Sequence, residues 1–341
     1  MRLTSVTARC ALSAVLAGAA VAAVLTGCSR PADGRGGDAH RDGAPGAGQP
    51  VDLREHITDF TDGITQEGTY RVPAERDRRA VADGVRALLD GDRAAAGRLL
   101  ARAGYAVREL VDSDSDSGNG NGNGSSGRHV AEIADATADG EARRGWGRVY
   151  VDLRGPARWQ VQVPHPTADQ RTEQLGIGLL RGTPGGVLVL AGAHRNAAVS
   201  GDRSGTDPAD VAHRRDSVFA AVSAALADRG LPAVQVHGFA DSSLPDEDVV
   251  VSTGKGDAGL GAARRLAGAL RSESLRVCEV WERYCGRLEG RTNVEGDHAA
   301  SAAVPFLHVE HSRSVRLDDG RVAEAVRALT VVTREWAAPR G

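Results

Sequence analysis

Residues 159–194 read WQVQVPHPTADQRTEQLGIGLLRGTPGGVLVLAGAH. Two short apolar runs, WQVQVP at 159–164 and GVLVLAG at 186–192, bracket TEQLGIGLLRG at 172–182. The runs have the length and residue types of strands, and the segment between them has helical spacing. The alternation continues to the C-terminus. AVQVHG (233–238), DVVVST (248–253), LRVCEVW (275–281) and PFLHVEH (305–311) read as strands, and 207–230, 259–272 and 320–336 as helices. Pro208 in the first turn and Gly230 just past the end mark the limits of the first of these helices. Such alternation predicts an α/β fold over 158–341, a mostly parallel sheet with helices on both faces. Ligands in such sheets bind beyond the carboxyl ends of the strands.

Upstream, residues 73–103 predict two helices that stop at Gly91 and Gly104. YAVRELVD, HVAEIAD and GRVYVDLRG read as strands, so 51–157 is expected to be a small α+β portion leading into the main domain. It contains a low-complexity loop, 112–127, DSDSDSGNGNGNGSSG, which has nothing to bury against its ordering entropy.

The chain has 341 residues, 41% hydrophobic and 26% charged, with a net charge of −3. That composition excludes collagen-like, largely disordered and multi-pass membrane proteins. Nothing in it is basic enough to call for nucleic acid. Lys255 is the only lysine, a bias of composition and not of function.

The N-terminus, MRLTSVTARCALSAVLAGAAVAAVLTGC, has Arg2 and Arg9 ahead of an apolar stretch at 10–25. It reads as an export signal, 1–27. Its ending Leu25-Thr26-Gly27-Cys28 resembles the bacterial lipobox, which implies lipidation at Cys28 and attachment to the extracytoplasmic face of the cell membrane. The alternative is an ordinary signal peptide with a chance cysteine. Residues 28–50, rich in Gly, Pro, Ala and Asp, read as a disordered tether. Outside the cytoplasm, Cys278 and Cys285 are expected to form a disulfide.

Three strands end in histidine: His165, His194 and His237. In a parallel sheet such ends converge on one edge. Glu173 begins the helix after His165, and His165, Glu173 and His237 together supply two imidazoles and a carboxylate, a donor set for catalytic zinc. Glu173 taken alone would read as a charge complementing the helix dipole, and Asp169 is a competing ligand. Glu310 lies on the last strand, which otherwise reads as buried. A carboxylate there needs a partner or a task, and general base is the task proposed; a salt bridge to Arg313 or Arg316 is the alternative.

The order strand–His165, helix–Glu173, strand–His237, late strand–Glu310 is similar to that of zinc-dependent N-acetylmuramoyl-L-alanine amidases and the wider zinc exopeptidase-like group, including metallocarboxypeptidases. FLHVEHSRSVR resembles the late strand of poly-γ-glutamate hydrolases. The resemblance spans about residues 158–336. It implies Zn2+ held by His165, Glu173 and His237, with Glu310 catalytic. Arg195 after a strand end, with Arg313 and Arg316, would suit a substrate carboxylate, and His194 and Asn293 would face substrate. His213 reads equally as structural. His308 and His311 are expected to face away from Glu310, as packing residues.

These readings describe a lipid-anchored zinc hydrolase of amide or peptide bonds, with a peptide or peptidoglycan-derived substrate. The alternative is a non-catalytic envelope lipoprotein that binds a cell-wall ligand or partner with the same fold.

Overall fold

A computed structural model of the chain describes residues 48–113, 127–138, 140–201 and 207–339. The signal segment 1–27, Cys28, nearly all of the tether and most of the low-complexity loop lie outside the described residues. In chain order the elements are β1 (Gln49–Val51), α1 (Leu53–Asp62), β2 (Thr69–Tyr70), α2 (Glu75–Leu89), α3 (Arg93–Ala101), β3 (Tyr105–Asp112), β4 (Arg128–Asp135), α4 (Gly140–Arg144) and β5 (Arg148–Asp152). There follow β6 (Trp159–Val163), α5 (Thr172–Gly182), β7 (Gly186–Leu190), β8 (Ala198–Val199), α6 (Val218–Ala227), β9 (Ala233–Phe239), β10 (Val249–Ser252), α7 (Leu260–Ser272) and β11 (Val277–Glu279). The chain ends with α8 (Val294–Ser301), β12 (Phe306–Ser312), α9 (Arg313–Leu317) and α10 (Asp319–Ala337).

Ten strands form one sheet in the order β1-β3-β4-β5-β7-β6-β9-β12-β10-β11. Its centre, β7-β6-β9-β12, is parallel, as the strand–helix alternation predicts. The stretch 51–157, expected as a small portion ahead of the main domain, adds strands to this same sheet. β3, β4 and β5 run as an antiparallel meander, and β5 pairs with β7. Local pattern shows where strands are, but not which neighbour a strand will take.

Helices cover both faces. On one face Leu53, Ile57, Leu175, Leu266 and Leu329 from α1, α5, α7 and α10 pack on Trp159, Val161 and Val163. On the other, Val81, Leu100, Phe219 and Val222 from α2, α3 and α6 pack on Val187, Val189 and Val149. The helix expected over 207–230 begins only at Val218. Ser217 Oγ accepts from the Ala220 backbone N–H at 2.9 Å and caps it. The stretch before the cap, freed from the helix, carries Asp210 to the edge of the sheet described next.

Candidate metal centre

The chain leaves β6 for β7 on one side and later returns to place β9 on the other. The carboxyl ends of β6 and β9 therefore flank a switch point, where open α/β sheets form their crevices. His165 follows β6, and His237 lies near the end of β9. Both are buried and their rings meet edge to face, with centroids 5.2 Å apart.

Asp169 joins them. Its backbone N–H donates to the His165 carbonyl at 2.9 Å, folding the chain back so that the carboxylate returns to the ring. Asp169 Oδ2 lies 3.4 Å from His165 Nδ1 and 3.2 Å from His237 Nδ1. Ligand atoms of all three residues lie within 4.8 Å of one another. Bonds of about 2.0–2.1 Å to a tetrahedral ion would set neighbouring ligand atoms about 3.3–3.4 Å apart, close to the spacing seen. His165 Nδ1 is buried and makes no hydrogen bond, the 3.4 Å approach to Asp169 being poorly directed. An orphaned nitrogen turned toward a carboxylate and a second imidazole fits a metal ion.

The carboxylate expected in this set was Glu173, and the structure places Asp169 there instead. Gln170 (φ 36°) and Arg171 (φ 63°) take left-handed conformations and turn the chain before α5 begins. Glu173 is thereby directed into a separate cleft beside Arg54, Asp59 and Arg171. Its Oε1 accepts from Gln174 Nε2 at 3.1 Å, and burial raises its pKa.

Burial opposes protonation of His165, but Asp169 and Asp210 overcome it and lift the ring to about 9. Asp169 is pushed up by burial and pulled further down by both imidazoles, ending well below the usual carboxylate range. Burial and the neighbouring His308 depress His237 to about 4. Asp210, which sequence pattern did not single out, accepts from His165 Nε2 at 2.9 Å and also faces Arg195 at 2.6 Å and His213 at 3.2 Å.

Glu310 lines the same cavity of about 630 Å³. It pairs in register with His237 across β9 and β12, so the two side chains stand together on one face. Glu310 Oε2 is buried and unpartnered, and Oε1 lies 3.4 Å from His308 Nε2. His308 thus shares Glu310's face, contrary to expectation, because residues two apart on a strand point the same way. The φ of +64° at Gly290 and its missing Cβ, which would sit 2.5 Å from His308 Cγ, make room for that ring. His311 alone faces away, its Nδ1 3.3 Å from the His237 carbonyl.

Of the other residues expected to meet substrate, Arg195 and Asn293 line the cavity, together with His213. His194 does not. It borders a second cavity of about 590 Å³ with His56, Phe60 and Arg148. Arg313 is exposed, its Nε donating to Gln170 Oε1 at 3.3 Å. Arg316 is buried and commits its guanidinium to the carbonyls of His311, Gln170 and Phe239. It is a clamp on the backbone and is closed to a substrate carboxylate. The outer wall is the loop between β11 and α8, which brings Tyr284, Arg287 and Glu289. Cys278 and Cys285 form a disulfide at its root, with a Cα–Cα distance of 6.0 Å. Among the described residues no helix is long and apolar enough to cross a membrane.

No protein-family model and no curated protein matches the chain. Among solved structures, a bacteriophage poly-gamma-glutamate hydrolase is 14% identical with a TM-score of 0.37, over 55% of this chain and 88% of that one. An N-formylglutamate amidohydrolase from Ralstonia eutropha JMP134 is 15% identical with a TM-score of 0.35, over 54% and 94%. A metallo-carboxypeptidase from Burkholderia cenocepacia is 14% identical with a TM-score of 0.35, over 62% and 61%. At such values the chemistry has to be read from the chain's own side chains.

Proposed function

We propose that the protein is a zinc-dependent hydrolase of amide bonds, with His165, Asp169 and His237 as ligands and Glu310 as proton carrier. One observation carries this reading: two imidazole nitrogens and a carboxylate oxygen converge at a sheet switch point, beside a buried carboxylate with an unpartnered oxygen. Two nitrogens and an oxygen suit zinc and leave a position open. These residues would hold a zinc ion, whose chemistry when bound would be to polarise a scissile carbonyl and acidify water. Glu310 takes the proton from the attacking water and returns it to the leaving nitrogen. His308, close to Oε1, holds the carboxylate in place. Arg287 lines the cavity and is exposed, and a carboxylate-bearing peptide suits it.

The export segment, the lipobox-like Cys28 and the disulfide support action outside the cytoplasm from a membrane anchor, with cell-wall peptides as substrate. The test of the metal site is elemental analysis of the purified protein. About one zinc per chain is expected, lost in His165→Ala and His237→Ala and kept in Glu310→Gln. Protein that takes up no added zinc would overturn the reading.

A further inference from the structure

Beneath the site the sheet carries a row of carboxamides that the proposed chemistry does not use. Gln160 and Gln162 on β6 and Gln235 on β9 alternate with valines and are buried. Gln162 and Gln235 are register partners. Buried amides are unfavourable unless their bonds are made, and the two ends of this row fix how they are made.

At one end Gln160 Nε2 lies 3.2 Å from the Leu231 carbonyl, which can only accept. Gln160 Oε1 is therefore the atom facing Gln162, and it accepts from Gln162 Nε2 at 2.8 Å. Gln162 Oε1 in turn accepts from Gln235 Nε2 at 3.0 Å. At the other end Asn293 caps α8, its Oδ1 accepting from the backbone N–H groups of Glu295 and Gly296, both at 3.0 Å. Those groups can only donate, so Asn293 Nδ2 is a donor, and it donates to Gln235 Oε1. Two separate backbone anchors thus assign the same orientation to Gln235. Its second N–H reaches Glu295 Oε2 at 3.2 Å. Its oxygen also lies 2.7 Å from His237 Nε2, a shorter contact than the 3.2 Å from His237 Nδ1 to Asp169 Oδ2, and the shorter contact places the hydrogen on Nε2.

We infer that Gln235, held between the glutamine row and the Asn293 helix cap, is a positioning residue that locks His237 as its Nε2–H tautomer and leaves Nδ1, beside Asp169, as the nitrogen offered to a metal ion. The lock's purpose rests on the metal reading above; its geometry does not. At His165 the atom facing Nε2 is instead a charged acceptor, Asp210 Oδ1, at 2.9 Å. The two ligand imidazoles are thus oriented by different means, one by a carboxylate and the other by a neutral amide with no freedom to flip.

The test is 15N NMR of the imidazoles in the metal-free full chain at neutral pH, followed by zinc titration. For His237 the hydrogen is expected on Nε2 and the unprotonated shift at Nδ1. The opposite tautomer, or a mixture, overturns the lock. Gln235→Met removes the acceptor and should give mixed tautomers and about 10–100-fold weaker zinc binding. Asn293→Ser keeps a capping oxygen while deleting the donor, and serves if the first variant does not fold. It should show the same changes in smaller degree. Wild-type tautomer and affinity in a folded variant would overturn the assignment. A wild type that shows the Nε2–H tautomer but binds no zinc would sink the hydrolase reading and leave the lock standing.

Discussion

Two groups of buried charge on this sheet are built in opposite ways. Around Glu132 on β4, each carboxylate oxygen faces basic nitrogens. Oε1 meets His56 at 2.7 Å and Arg148 at 2.9 Å, and Oε2 meets Arg108 at 2.6 Å. Tyr150 donates to the same carboxylate at 3.1 Å, and Arg148 also pairs with Glu141 and stacks on Phe60 at 4.0 Å. Around His165 and Glu310 the buried atoms His165 Nδ1, His308 Nδ1 and Glu310 Oε2 are left without hydrogen bonds. Both groups are polar and enclosed, and both border cavities of similar size. The difference shows that burial of charge does not by itself mark a reactive site. Missing counter-charge does: Glu132 Oε2 makes no hydrogen bond either but is neutralised by Arg108, whereas among the described residues Glu310 Oε2 has neither a hydrogen bond nor a cation beside it.

The contrast can be broken from either side. The largest effect is expected for Glu310→Gln, which should lower kcat/KM on an amide substrate by about 10²–10⁴-fold while zinc content and thermal stability stay as in the wild type. Steady-state kinetics beside elemental analysis and melting would show it, and unchanged kinetics would contradict the role. Glu132→Ala should do the reverse. It leaves Arg148 buried without one of its partners and should lower stability by about 3–5 kcal/mol, read as a shift of the urea midpoint, with zinc stoichiometry of the folded protein unchanged.

Acid and base separate the two groups as well. Burial alone would raise Glu132, but His56 and Arg148 bring it down to about 2 from 4.5. Its contribution, about 3 kcal/mol at 1.36 kcal/mol per pH unit, is complete above pH about 4.5 and is lost as pH falls toward 2. Glu295, beside Gln235, has the opposite sign, because burial raises it to about 8. Above its ordinary value the unfolded chain has released a proton that the folded chain still holds, so stability falls as pH rises toward 8. Melting curves across this range should lose the alkaline slope in Glu295→Gln, and an identical slope would count against the assignment. The smallest effect is expected at the outer wall. Cys285→Ser opens a short loop and should lower stability by about 2–3 kcal/mol, with a rise in KM larger than any change in kcat.

Much of this arrangement was legible in the sequence. Alternation of apolar and polar residues fixed the ends of β6 and β9 closely enough to put His165 and His237 on one edge, and the same period placed Glu310. The carboxylate ligand was harder. Asp169 and Glu173 are four residues apart, and the choice between them turns on a backbone reversal at Gln170 and Arg171, for which the side-chain types give no warning. His308 was open to correct reading, since the period of two already sets it beside Glu310. Asp210 was concealed by a helix whose true cap, Ser217, lies later in the chain. The pairing of β5 with β7 joins residues some forty apart, a choice that no local window contains. The pattern Gln-Val-Gln on β6 and Gln-Val-His on β9 was visible throughout. Its meaning required knowing that the two strands are neighbours.

Gly238 follows His237, a proposed metal ligand. A Cβ there would come within 2.3 Å of Arg316 Cζ and 2.7 Å of the Asp169 carbonyl oxygen. The inner floor is thus closed to change, since even one methyl group would displace both the backbone clamp and the segment that carries a ligand. The opposite wall is tied by the Cys278–Cys285 disulfide and by Ser252 Oγ donating to the Glu289 carbonyl at 2.7 Å, and it presents Tyr284 with 76% of its surface exposed. Descendants of this chain could acquire new substrates by rewriting residues 279–292, while the floor passes unaltered from one specificity to the next.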